Sequence, residues 1–494
     1  MDVQHQIATA LRRDPRRVAL ECRGEEISCG MISRLADDLI ARLQESGVPQ
    51  DAPVAVVARN RPAQAAAVLG LVEAGRTVSN VYAFQSPEAL AAELGRTGFA
   101  AVVAEEQDWT PPVIEELLRS GAVGVVLCWG TDTTAQLLPN MTHLGRGPFR
   151  PPLLKAGIEI LSSGTTGPPK RVAIPNRVLA RAVESIRGGG VDTGVSPDIV
   201  VWPISGIGGT CCLIADFAIE RLIILLEKFD LDEWLAAIGR HRPRSVNVPP
   251  AVPRMMLDAA VPRSDVASLE YVYGGSAPMT PELQEEFEGA YGIKVIWAYG
   301  ATEFCGTLVT WTPELHDQYS SSKRGAMGRP FAGVQLRVVD VDDGEELPRG
   351  EVGYLEALVP EVSTDWIRTT DLATIDEDDF VFHKGRGDGV ILRGGFKVIP
   401  EAIDAALREH SSVLDAATVG IGDHRLGQVP AAAIELRRGE AAPTHEQLDA
   451  HVRARLNSLH VPVRYAITEV LPRTTSMKPD LRAVRSLLET RPDD

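Results

Sequence analysis

Apolar and polar positions recur along this chain on two different periods. Between residues 30 and 46, Met31, Leu35, Leu39 and Leu43 return every four positions, which predicts an amphipathic helix with one buried face. Val54-Ala55-Val56-Val57 is an apolar run too short for a helix and predicts a buried strand. Pro62 to Gly75 is Ala-rich, opens on proline and closes on glycine, the punctuation of a helix. Val102-Val103-Ala104 and Val123 to Leu127 predict further short strands between helical patterns. Alternating strands and helices predict an α/β fold with parallel-rich sheets. The longest apolar stretch, Cys211 to Leu226, is broken by Asp216, Glu220 and Arg221, so it predicts a buried helix and strand rather than a membrane span.

The pattern sharpens after residue 270. A strand, Tyr271-Val272-Tyr273, runs into Gly274-Gly275-Ser276. A helix over 281–290 follows, with Thr280 as cap, Pro281 at its first position and Gly292 beyond its end. A second strand, Lys294 to Tyr299, ends in Gly300-Ala301-Thr302-Glu303. Two strands running into polar loops mark the usual place of a ligand in a parallel sheet. Residues 332–392 alternate strand-like runs with Asp/Gly turns and predict a smaller β-rich unit. From Gly389 the chain reads as a small α+β domain. It has a helix from Pro400 to Glu409, another capped by Thr444 with Gln447 three residues on, and a last short helix after Lys478.

Composition narrows the function. A chain of 494 residues predicts two or three domains. The net charge of −17 argues against nucleic-acid or anionic-membrane partners, which need clustered positive charge. The six cysteines, Cys22, Cys29, Cys128, Cys211, Cys212 and Cys305, form no Cys-x-x-Cys pair and predict a reduced, cytoplasmic protein. The N-terminus shows no apolar core of a signal peptide. His445-Glu446 resembles the start of a zinc-protease motif, but the next histidine is His451, two positions too far.

The densest chemistry lies at Ser162-Ser163-Gly164-Thr165-Thr166-Gly167-Pro168-Pro169-Lys170, after the apolar run 157–161. Glycines let backbone amides approach anionic oxygens, hydroxyls donate hydrogen bonds and a lysine adds positive charge. Such a loop suits a polyphosphate, though a plain flexible turn fits the same composition. No Gly-Lys-Ser/Thr tripeptide follows, so it is not the Walker loop. Three more segments follow it in order: Tyr299-Gly300-Ala301-Thr302-Glu303, then Arg368-Thr369-Thr370-Asp371 with Gly385-Arg386-Gly387-Asp388, and Pro472 to Lys478.

Taken together, the four segments resemble the adenylate-forming superfamily of acyl-CoA synthetases, adenylation domains and luciferases, and most resemble an acyl-CoA ligase. The resemblance implies a large domain over 1–387 and a small mobile C-terminal domain over 388–494, hinged near Asp388. It implies ATP/AMP, Mg²⁺ and CoA, and two half-reactions. A carboxylic acid becomes acyl-AMP, and a thiol then takes the acyl group. Ser162 to Lys170 would hold the β- and γ-phosphates, and Gly274, Gly275 and Ser276 would border the adenine. Tyr299 and Gly300 would meet the base, and Thr302 the α-phosphate; Glu303 would hold Mg²⁺. Asp371 would take the ribose hydroxyls with Arg386 nearby, and Lys478 would bridge carboxylate and phosphate oxygens. Trp202, Ser205, Gly206, Gly209, Val248, Tyr273 and Ala301 would form the acyl pocket; Gly395 and Lys397 would lie by the pantetheine tunnel.

Departures from the family pattern carry information. Gly206 stands where a histidine or aromatic residue usually gates the pocket, so a bulky acid is expected. The aspartate that holds an amino-acid ammonium is missing, so a free amino acid is not expected. Met477 replaces the glycine before Lys478, Pro479 follows it, and Thr370 and Arg171 replace two more glycines. A thioester-forming specialist supplied with acyl-AMP is therefore one alternative, and a non-catalytic nucleotide-binding relative is another. With no fused carrier segment, CoA is the expected acceptor and a separate carrier protein the second choice. A homodimer stays open.

Overall fold

The computed structural model describes residues 2–130, 133–154, 156–162, 170–188, 196–249, 251–275, 279, 281–301, 304–340, 343–386, 391–398, 400–437, 439–472 and 479–489, with the backbone alone at Ser162, Lys170, 185–188, Gly385, Arg386, Lys397, Glu401 and Arg482. The protein is α/β, as the strand–helix alternation predicts. Among the described residues a seven-stranded sheet runs, edge to edge, Thr134–Leu137, Val123–Cys128, Ala101–Glu105, Val54–Ala58, Thr77–Tyr82, Gly157–Ser162 and Lys170–Pro175. Its four inner pairings are parallel and its two outermost antiparallel.

Helix packing explains the sequence patterns. Helix Cys29–Glu45 buries Ile32, Leu35, Ala36, Leu39 and Leu43, while Met31 sits at the margin of that face. Helix Pro62–Glu73 is buried on every side from Pro62 to Val72, which accounts for its alanines and for the absence of a polar face. The two helices touch so closely that a Cβ on Gly70 would meet the Cβ of Ala36 at 2.4 Å. The apolar stretch after Cys211 is, as predicted, a buried helix, Ile207–Ala218, and a strand, Ile223–Leu225.

The second large sheet carries the site. Strands Ser245–Val248, Tyr271–Gly274 and Lys294–Ala301 are parallel; Gly306–Thr310 and Arg329–Pro330 continue it antiparallel. Here the structure departs from the sequence reading. Gly300 and Ala301 are not loop residues: the strand continues through them and folds back on Gly306 and Thr307. Lys170 likewise belongs to a strand, its backbone paired antiparallel with that of Ser162. Arg171 turns into the fold, 2.8 Å from Glu93 and donating to the Asn80 carbonyl at 3.0 Å. The predicted cap Thr280 lies outside the described residues; the helix it precedes is Pro281–Tyr291.

The β-rich unit is an antiparallel sheet of Gln335–Val339, Gly353–Leu358, Ile367–Ile375 and Val381–Arg386. The C-terminal part has its own sheet around the long hairpin Val413–Asp423 and Gly427–Leu436, packed by Pro400–Arg408, His445–Arg453 and Leu481–Glu489. Two apolar clusters of its own hold it, one around Ile403, Leu407 and Leu448 and one around Val429, Val484 and Leu488. The capping box of Thr444 and Gln447 is present as predicted. The expected hinge, Asp388, lies outside the described residues. Among those described, no helix is long and apolar enough to cross a membrane.

Candidate functional site

Tyr299 and Asp371 are 72 residues apart in sequence and meet in the fold. The phenol donates to Asp371 Oδ2 at 2.6 Å. Each residue sits beside a register shift, at Tyr299/Gly300 in one sheet and at Leu372/Ala373 in the other. Such irregularities re-aim side chains at sites. Asp371 is buried, and its N–H donates to Thr369 Oγ1 at 3.2 Å, while that hydroxyl donates to the Leu355 carbonyl at 2.9 Å. His383 Nε2 stands 3.4 Å from Asp371 Oδ1. Arg386 is the cross-strand partner of Asp371. Sequence reasoning missed His383. Its signal was a histidine three residues before Arg386, in the strand that pairs with the Asp371 strand.

In front of Tyr299 opens a cavity of about 500 Å³. Trp202, Ser205, Gly206 and Gly209 line one side of it; Gly274, Gly275, Ala298 and Gly300 line the sheet side. Its glycines are of two kinds. A Cβ on Gly275 would meet the Ala298 carbonyl oxygen at 2.5 Å, and one on Gly300 would meet that of Gly306 at 2.2 Å. Gly209 is excluded in the same way by the Pro203 oxygen at 2.3 Å. At Gly206 the nearest atom is 3.5 Å away and at Gly208 3.8 Å, so both could carry a side chain. The bareness of Gly206 therefore makes the cavity wider, whereas Gly209 is glycine for packing.

Two residues expected in the acyl pocket are placed elsewhere. Val248 is buried in the core between the sheet and its helices, because strand alternation turns it to the other face; its neighbour Asn247 takes the wall. Ala301 packs with the cluster of the β-rich unit. Tyr273 faces an adjoining hollow. Two buried asparagines missed by sequence reasoning fix the Trp202 segment. Asn60 accepts from the Ile204 N–H at 2.8 Å and donates to the Trp202 carbonyl at 2.9 Å. Asn80, at the cavity floor, donates to the Ile204 carbonyl and to Thr210 Oγ1, each at 2.8 Å. Neither stands out in the sequence, Asn80 lying in the mixed run Thr77-Val78-Ser79-Asn80-Val81-Tyr82.

The C-terminal part closes the cavity with Gly395, Phe396, Asn457, Leu459 and His460. Arg393 clamps this wall, its Nη1 donating to the carbonyls of Leu459 at 2.6 Å and Val461 at 3.1 Å. Burial and then the Arg393 charge pull the His460 imidazole down to about 4, so it is neutral at pH 7. With Asn457 Oδ1 already accepting from the Leu459 N–H, His460 Nδ1 at 2.8 Å is its second donor. Lys397 is described by its backbone alone, in strand Phe396–Val398. Ser163, Gly164, Thr165, Thr166, Gly167, Ser276, Thr302, Glu303, Asp388 and Lys478 lie outside the described residues.

The model of the AMP-binding enzyme family matches residues 7–362, and that of the AMP-binding enzyme C-terminal domain matches residues 402–478. The chain belongs to the AMP-binding enzyme family. Among curated relatives of this AMP-binding enzyme, 4-coumarate–CoA ligase 5 of Oryza sativa subsp. japonica is 27% identical over 96% of this chain and 92% of its own. The amide bond synthetase McbA from Marinactinospora thermotolerans superposes with a TM-score of 0.85 at 26% identity, over 98% of this chain and 99% of that one. The o-succinylbenzoate CoA synthetase of Bacillus subtilis, 20% identical, shares the fold. A double-mutant form with its product analogue gives a TM-score of 0.81 over 98% of each chain. The complex with the acyl-adenylate intermediate gives 0.63 over 99% of this chain and 98% of that one.

Proposed function

We propose that this protein is an AMP-forming acid–thiol ligase that activates a bulky carboxylic acid, not an amino acid, and passes the acyl group to CoA. The observation that carries the reading is the Tyr299–Asp371 hydrogen bond at the back of a glycine-lined cavity that Gly395 and its neighbours close. It supports a base stacked on Tyr299 with its ribose toward Asp371. The carboxylate body would lie against Trp202 and Gly206. In the first half-reaction a carboxylate oxygen bonds the α-phosphorus and pyrophosphate leaves; in the second the thiol sulfur bonds the carbonyl carbon, AMP leaves with the bonding pair, and the thiol proton passes to solvent. The proposed partners for the two anions of the first step are the hydroxyls and lysine of 162–170, Thr302 and Lys478, since oriented donors and positive charge lower the cost of bringing anions together. Mg²⁺ at Glu303 would neutralise phosphate charge. The proposed domains are 1–387 and 388–494, turning about Asp388, in the cytoplasm.

A second reading, an amine as the acyl acceptor, is favoured by the likeness to an amide bond synthetase over nearly the whole chain. One experiment separates these. The protein is incubated with ATP, Mg²⁺ and a panel of acids, first for acid-dependent pyrophosphate exchange and then with CoA or amines. Exchange followed by thioester supports the ligase, and exchange followed by amide the second reading. No exchange, with CoA-dependent consumption of synthetic acyl-AMP, supports the thioester specialist. Nucleotide binding with none of these leaves a non-catalytic relative.

A further inference from the structure

A second hollow of about 330 Å³ adjoins the cavity, and the two share Cys212, Asn247, Gly274, Ala298 and Thr307 in their walls. Both lie along one face of the same sheet. Asn247 pairs with Tyr273, Tyr273 with Ile296, and Ala298, two residues beyond Ile296, pairs with Thr310. Cross-strand partners and residues two apart share a face. The junction is made of small side chains and one fixed amide. Trp202 Nε1 donates to Asn247 Oδ1 at 3.1 Å, and Asn247 Nδ2 lies 3.9 Å from Cys212 Sγ.

The two hollows differ in chemistry. Glycines and apolar groups dominate the first; Asp198, Arg221, Tyr273, Thr312 and Arg329 line the second. Arg221 is held by Asp216 at 3.1 Å, a fully buried carboxyl that burial, and then the neighbouring Asp198, keep well above the usual carboxylate range. Arg329 is placed otherwise. Its Nε donates to the Asp378 carbonyl at 2.8 Å, and its guanidinium lies over the rings of Tyr319 and Phe380, 4.7 Å from each centroid. The Asp378 carboxylate is taken by Lys323. Among the described residues no carboxylate is within ion-pair distance of Arg329, so its planar donor fork is available to the hollow.

We infer that the acid is elongated, with its body in the first cavity and an oxygen-acceptor group at its far end, past Asn247 and Ala298, facing Arg329. The inference rests on the acid-activating reading. An acceptor there replaces water on a guanidinium in a confined site, where a charge-assisted bond is strong. A terminal methyl offers no acceptor to the guanidinium N–H groups that face the hollow and is disfavoured by their desolvation.

The test measures kcat/KM for AMP release with the full chain, ATP, Mg²⁺ and CoA. The acids are a short aryl acid and three rod-shaped aryl acids of equal length ending in carboxylate, ketone or methyl. The two acceptor-ended rods are expected to exceed the methyl-ended rod by about tenfold or more. Arg329→Gln should collapse that ratio by about tenfold, and Arg329→Lys should restore part of it. Ala298→Leu, at the junction, should turn preference toward the short acid by a similar factor. Rods no better than the short acid, or an Arg329→Gln loss equal for every acid, overturn the inference; the equal loss is what a merely structural arginine gives. No AMP release with any acid counts against the acid-activating reading itself, while release indifferent to the far end counts against this inference alone.

Discussion

The proposed nucleotide end of the cavity and its proposed acyl end are built on opposite terms. Around Tyr299 the backbone leaves no choice: a Cβ on Gly275 or Gly300 would meet a carbonyl oxygen at 2.5 or 2.2 Å, and Asp371 is tied to Tyr299 and Thr369. Around Trp202 the backbone is clamped by Asn60 and Asn80, yet Gly206 and Gly208 have space for side chains. The first region is fixed by close approach. The second is shaped by side chains left out, and those can change without disturbing the fold. A constant cosubstrate at one end and a variable acid at the other fit that division.

The largest expected effect tests whether the proposed chemistry sits at the constant end. Lys478→Ala should lower acid-dependent pyrophosphate exchange by about 10²- to 10³-fold, with ATP affinity nearly unchanged in a calorimetric titration. Loss of affinity and exchange together would assign Lys478 to binding instead. Asp371→Asn, which keeps the acceptor for Tyr299 but removes the charge, should raise KM for ATP about tenfold, read beside the thermal midpoint to separate folding from binding.

The comparison itself is broken most directly by exchanging glycines. Gly300→Ala should cost about 1–3 kcal/mol of stability and reduce turnover with every acid. Gly206→Val, at a φ of −103° that valine accepts, should move stability by no more than about 0.5 kcal/mol and turn preference toward smaller acids by about tenfold. Equal melting losses for the two variants would erase the distinction. A further effect, confined to a narrow pH range, concerns the cavity's outer wall. His460 is held near 4 in the fold, against 6.5 as its ordinary value. Between those values the unfolded chain binds a proton that the folded chain refuses, so stability falls as pH drops from about 6.5 toward 4, by at most about 3 kcal/mol. Denaturant titrations of His460→Gln across that range should show the slope flattened.

Much of the fold was legible because periodicity reports burial. The fourfold pattern of Leu35, Leu39 and Leu43 and the apolar run at Val54 each gave the element observed. The site was legible in part. Tyr299, Asp371 and Arg386 were named from motifs, and the fold joins the first two by a hydrogen bond and pairs the third across strands. Val248 was misplaced by one position, since successive strand residues face opposite sides and a motif does not state which side is inward. His383, Asn60, Asn80 and His460 carried no motif; Asn60 and Asn80 bind backbone 142 and 124 residues further along the chain, His383 faces Asp371 from the adjacent strand, and His460 lies beside Asn457 and near Arg393.

The residue order alone determined most element types, the glycine positions and the ordered set of segments proposed for the nucleotide, because these depend on local backbone preference and short-range spacing. Only the tertiary structure decided which glycines are enforced by a carbonyl and which leave room, that Asn247 rather than Val248 faces the cavity, and that Arg329 meets a second hollow. Those outcomes depend on contacts between strands and segments distant in the chain, and no local rule encodes such contacts.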